Sequence, residues 1–198
     1  MQGLVNRAIQ CFVHDIYGLE TWREVVDEAQ LGFTSFEAML DYEPSVTDRL
    51  VSAVQIILTK PRSVILEDLG TYLVSHANME TLRRLLRFGG SDFEEFLLSL
   101  DELPEKARLI LPDFVLPSLS VLALNPRLYE LEIGTGISGF SNVLMGVLRV
   151  MSDDYGALAF FEHRDGTEKN TIQITLADAR FSSGRSFELT PAHEASYG

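Results

Sequence analysis

Residues 99–114 read SLDELPEKARLILPDF, from Ser99 to Phe114. A helical pattern runs into this stretch, carried by Phe93, Phe96, Leu97 and Leu100, and Pro104 then stands in its path. A proline in a helix interior removes a backbone donor and crowds the preceding turn, at a cost of about 3 kcal/mol. It also biases the residue before it, here Leu103, away from helical geometry. The helix that opens at Ser91 is therefore expected to end or kink at Pro104. The continuation, LPDFVLPSLSVLAL, holds two prolines and no helical period, so it reads as extended chain.

Upstream of this break the chain reads as helices. Val5, Ile9, Phe12 and Ile16 recur at helical spacing, and Gly18 follows as a stop. Thr21 is placed to cap a second helix through Ala29, and residues 35–40 read as a single helical turn. Val46–Leu58 is amphipathic through Leu50, Val51, Val54, Ile57 and Leu58. Pro61 suits the first turn of the next helix, whose buried side is expected to hold Val64, Ile65, Leu69 and Tyr72 or Leu73. Met79–Phe88 ends at Gly89-Gly90, and Ser91–Glu94 has the form of a capping box.

Downstream the pattern changes. LYELEIGTG alternates as a strand does, with Leu128, Leu131 and Ile133 expected to point inward. Ser138–Met151 is helical again, and GALAFFEHRDGTEKNTIQITLAD reads as a hairpin with Asp-Gly near its turn. Residues 179–198 are polar and small, and are expected to be a loosely held tail. Helices first, then strand–helix–strand–strand, make an α+β fold: an N-terminal helical subdomain packed on a C-terminal antiparallel sheet with helices.

The chain has 198 residues, enough for one domain with a real core. Its net charge of -13 argues against nucleic acid and anionic membrane surfaces as partners. A single cysteine, Cys11, excludes an intrachain disulfide and a Cys-based zinc site, and fits a reducing compartment. Polar residues interrupt the apolar run of MQGLVNRAIQCFVHDIYG, unlike a signal peptide. No stretch approaches the roughly 18 apolar residues of a membrane helix. The expectation is a soluble, cytoplasmic protein without membrane insertion.

Two local patterns invite sharper readings. GTGISG, residues 134–139, precedes a helix as a phosphate cradle does, yet no Lys follows and its spacing matches neither phosphate-loop nor dinucleotide signatures. A strand-to-helix turn is the expectation. RRLLRFGG places Arg83, Arg84 and Arg87 on one helix, as a solvated face or as a basic docking point. No nucleophile elbow or metalloprotease motif frames the Ser, His and Asp residues, so no enzyme activity is expected.

Taken in order, several segments resemble the heme-nitric oxide/oxygen binding (H-NOX) family over residues 1–178. MQGLVNRAI resembles its opening helix, and YGLETWREVVDEAQL its Gly-x-x-x-Trp stretch. SLDELPEKARLILPDFVLP resembles the segment with the iron-ligating histidine, and LYELEIGTGISGFSNVLMGVL the strand and helix bearing a Tyr-x-Ser-x-Arg motif. The resemblance implies a helical part of about residues 1–60 and a cleft and sheet part of about 61–178, with heme between them. It also implies a gas sensor that signals to a histidine kinase or a cyclic-nucleotide enzyme.

The chain departs from the family where heme is held. With LPDF as the anchor, the axial histidine falls on Pro104, which has no lone pair for iron. The motif's Tyr, Ser and Arg fall on Ile133, Thr135 and Ile137. By the same resemblance those three residues bind the heme propionates, so here only one hydroxyl remains for two carboxylates. Burying a charge without a partner costs several kcal/mol. Val5, Ile9 and Leu73 fall on the gas-binding side, and all are apolar. The expectation is a regulatory domain without stoichiometric heme, its cleft empty or holding an apolar small molecule. The alternative is a working nitric oxide sensor with a substitute ligand from Cys11, His14, His76, His163 or His193.

Overall fold

The computed structural model describes residues 2–110, 112, 114–164, 166 and 169–177. The tail at 179–198, with His193, and Asp165 of the hairpin turn lie outside the described residues.

Among the described residues the chain forms eight α-helices and four strands. α1 (Gln2–Tyr17) and α2 (Leu19–Glu28) meet at Gly18, whose φ of 92° suits glycine at the corner. α2 starts three residues earlier than a cap at Thr21 would set it. The Thr21 hydroxyl instead donates back to the Tyr17 carbonyl at 3.0 Å, as threonine does inside a helix. Residues 35–37 are irregular, and a single hydrogen-bonded turn follows them, the Leu40 N–H donating to the Glu37 carbonyl at 3.2 Å. α3 (Pro44–Leu58) and α4 (Arg62–Ser75) follow, with Pro44 at the start of α3 and Pro61 just before α4. Ile65, Leu69 and Tyr72 are buried as expected, but Val64 is exposed, because it lies on the outer side of α4. A 3-10 turn (Ala77–Met79) leads to α5 (Glu80–Arg87).

α6 (Phe93–Ser99) begins one residue later than SDFE would place it. Asp92 is the cap and accepts the Glu95 N–H at 2.9 Å, while the Glu95 carboxylate accepts from the Ser91 N–H and hydroxyl at 2.8 Å. The helix ends at Ser99, well ahead of Pro104. A 3-10 turn (Leu100–Glu102) then hands the chain to α7 (Leu103–Ile110). Pro104 thus opens a helix where it was expected to end one. In a first turn its missing N–H has no intrahelical partner to lose. Leu103 is helical, with φ −57° and ψ −42°, against the bias that a following proline imposes.

β1 (Leu119–Asn125), β2 (Leu128–Ile133), β3 (Ala159–Arg164) and β4 (Asn170–Leu176) make one antiparallel sheet in the order β1-β2-β4-β3. α8 (Phe140–Asp154) connects β2 to β3, two residues later at its start than expected. On β2 the buried residues are Tyr129, Leu131 and Ile133, all of one parity. Leu128 was expected to join them but sits on the opposite face, because alternation is strict within the strand.

Two apolar cores result. Ile9, Phe12, Val13, Trp22, Phe36 and Leu50 typify the helical one. Leu97, Leu131, Ile133, Leu148, Met151 and Ile172 typify the one beneath the sheet. α4 and α8 join them along the most extensive interface between any two helices. Gly70 of α4 lies on the Val143 carbonyl of α8, and Gly146 of α8 on the Glu67 carbonyl of α4. An Arg149–Glu67 ion pair at 2.8 Å fastens the same seam.

Candidate cleft between the helical half and the sheet

Val5 and Ile9 lie on α1 and Leu73 on α4. Ile9 is buried in the helical core, and Val5 and Leu73 pack partly against it. Ile133 ends β2 at 1% exposure, inside the sheet core. The loop after it, residues 134–139, carries an exposed Thr135 and a half-buried Ile137. The Gly134 N–H donates to the Ser118 carbonyl at 2.8 Å, which ties this loop to the approach of β1. Gly139 closes it at φ 77°, against the Leu66 side chain of α4. GTGISG is thus a strand-to-helix turn.

Pro104 is half-buried in the first turn of α7. That helix buries none of its described side chains, and Leu109 is 85% exposed. The structure therefore brings Val5, Ile9 and Leu73 into one core, seats Ile133 in the other, and places Pro104 on α7, whose Leu103 packs partly against that second core. A guanidinium does reach the loop from elsewhere. Arg62 donates to Ser138 Oγ at 3.5 Å and to Asp48 Oδ1 at 3.2 Å, so its charge is already matched by a carboxylate.

Two of the described imidazoles converge on one carboxylate. His14 and His76 both face Asp15, at 3.1 Å and 3.7 Å. His163 is half-buried on β3, and burial pushes the half-buried Cys11 thiol up. Among the described residues, no three His, Cys, Asp or Glu side chains are grouped to hold a metal ion. An open notch of about 490 Å³ lies at the far end of α8, lined by Asp153, Asp154 and Leu158. None of the family-motif positions lines it.

Asp15 is the polar centre that the sequence does not announce. Its Oδ2 accepts from the Tyr72 hydroxyl at 2.7 Å and from Asn78 Nδ2 at 3.0 Å. The Tyr72 hydrogen bond, helped by His14, Asn78 and His76, holds the carboxyl below its ordinary value against the opposing effect of burial. One side chain of α1 thereby fixes the end of α4 and the turn into α5. The three arginines of RRLLRFGG are likewise engaged. Arg83 pairs with Asp154, Arg84 with Glu80 at 2.7 Å, and Arg87 stacks 3.5 Å from the Tyr155 ring centre. Each of the three arginines thus has an intramolecular partner.

The fold is that of the H-NOX proteins. An Fe(II) unliganded H-NOX protein from K. algicida superposes with TM-score 0.76 at 16% identity, covering 91% of this chain and 99% of that one. An H-NOX protein from S. oneidensis in the Fe(II)NO state gives 0.73 at 16%, covering 90% and 100%. Residues 2–162 match the model of the haem-NO-binding family, and the chain belongs to that family. Among curated proteins it is 21% identical over 158 residues to soluble guanylate cyclase 89Db of Drosophila melanogaster. It is 23% identical over 154 residues to soluble guanylate cyclase gcy-31 of Caenorhabditis elegans. The matches cover 80% and 78% of this chain but only 24% and 22% of those proteins. No helix among the described residues is long and apolar enough to cross a membrane.

Proposed function

We propose that this chain is a sensory and regulatory domain that has lost normal heme ligation and acts through a signalling partner. The reading is supported by Pro104, in the first turn of α7, which falls on the position of the family's iron ligand when LPDF is taken as the anchor. Pro104 offers iron no lone pair, and Ile133 and Ile137 offer the propionates no donor. The residues present therefore do not fit a heme. The cleft instead closes on its own apolar side chains or takes an apolar small molecule. The domain itself has no catalytic role in this reading. The guanylate cyclase relatives make a cyclase the first kind of partner to test, and a histidine kinase the second. We place the domain in the cytoplasm, a reading supported by the single cysteine, which fits a reducing compartment.

Restoring the ligand and the counter-charge tests this. In a titration with ferrous heme, Pro104→His/Ile137→Arg is expected to bind at least about tenfold more tightly than the wild type, since a buried charge gains a partner and iron a bond. Equal binding by the two proteins would count against the reading.

A further inference from the structure

The loop between α2 and α3 is held firmly and yet presents apolar side chains to solvent. The Trp22 indole donates to the Thr34 carbonyl at 2.9 Å, and Gln10 accepts the Phe36 N–H at 2.9 Å. The Tyr42 hydroxyl accepts the Glu37 N–H at 3.0 Å, and the Gly3 N–H donates to the Leu40 carbonyl at 3.1 Å. Phe33, Phe36 and Tyr42 pack ring against ring, with centres 5.0 to 5.8 Å apart. On this frame Met39 is 72% exposed, Leu40 55% and Phe33 37%. A loop pinned by so many bonds does not expose apolar groups for want of order. Contiguous exposed apolar surface within a polar rim marks interaction sites.

The rim is mostly acidic, although Arg7 of α1 reaches it and donates to Ser35 Oγ at 3.3 Å. Residues 24–48 carry seven carboxylates and no Lys, Arg or His. Asp48 is matched by Arg62 of α4. Glu37, Asp41 and Glu43 alternate with the apolar residues along the loop and are exposed. We infer that loop 31–43 is a docking surface for a basic, amphipathic segment of a partner protein, most simply a helix with Leu-type residues on one face and Lys or Arg beside them. Anionic lipid and nucleic acid are repelled by this rim, and a second copy of the chain carries the same charge. The inference stands on the loop and is independent of heme binding, so it can fail without the proposed function failing.

The test is amide chemical-shift mapping on the full chain with an 18-residue Leu/Lys amphipathic peptide. Two controls share its length: a Leu/Glu peptide of the same pattern and a Ser/Lys peptide of the same charge. The Leu/Lys peptide is expected to move amides of residues 33–43, with affinity falling as salt rises. Met39→Ser/Leu40→Ser changes two exposed side chains, so the spectrum keeps its dispersion while affinity drops by about tenfold. Largest shifts on the sheet or α7, equal binding of the Ser/Lys peptide, or unchanged affinity of the double variant would overturn the inference. So would concentration-dependent self-association through the loop.

Discussion

Gly70→Ala and Gly146→Ala each lower the melting temperature by about 6–12 °C, the shift expected when a domain of this size loses about 3 kcal/mol. On an open helix surface the same change would stabilise by up to ~1 kcal/mol, because alanine restricts the unfolded chain and favours the helix. Here the added methyl would meet backbone. At Gly70 it lands on the Val143 carbonyl, and at Gly146 on the Glu67 carbonyl with the Thr71 nitrogen close by. A carbonyl inside a helix cannot rotate aside, so α4 and α8 must separate. Separation opens the seam between the two cores and forfeits packing on both sides. The two sites face each other across one interface, so the double variant should lose less than the sum. Thermal unfolding followed by circular dichroism reads this, and an unchanged or raised melting temperature would mean the helices do not cross where the structure puts them.

Asp15→Ala is expected to cost about 3 kcal/mol at neutral pH. Hydrogen bonds to a charged group contribute roughly 1.5–3 kcal/mol each, and the largely buried Tyr72 hydroxyl would be left without its acceptor. Tyr72→Phe removes the same bond from the other side and should cost about 2 kcal/mol. The effect carries a pH signature. The Asp15 carboxyl is held below its ordinary value in the folded protein, chiefly by Tyr72. A depressed carboxylate contributes stability that is complete above the unfolded pKa, near ~3.9, and is lost as pH falls through the folded pKa. The difference between wild type and Asp15→Ala should therefore be present above about pH 5 and narrow below about pH 4. Urea melts across that range measure it, and a gap that widens below about pH 4 would contradict the assignment.

Legibility differed between parts of the molecule for physical reasons. Periods of 3.6 and 2 are printed in the sequence by side chains that must face a core. The helices, the β3–β4 hairpin and the α+β order were therefore readable from positions such as Leu50, Val54, Leu131 and Ile133. The cap of α6 was readable only to within a residue, because Ser91 and Asp92 are both competent and geometry chose Asp92. Pro104 misled because the disruption it causes depends on where the helix starts, and a start at Leu103 makes proline harmless. Gly70 and Gly146 carried a signal, since glycine inside a strong helical pattern is a cost that calls for a close approach. Asp15 carried none. Its partners Tyr72 and Asn78 are some sixty residues away, and only the tertiary fold brings them to one carboxylate.

The central claim is that this member of the haem-NO-binding family does not hold a heme in the family's manner. Expression in cells supplied with excess heme precursor, followed by absorbance and a heme-to-protein assay on the purified full chain, tests it most directly. The account predicts heme far below one per chain and no sharp Soret band. One heme per chain, with a sharp Soret band that shifts on adding nitric oxide, would contradict it.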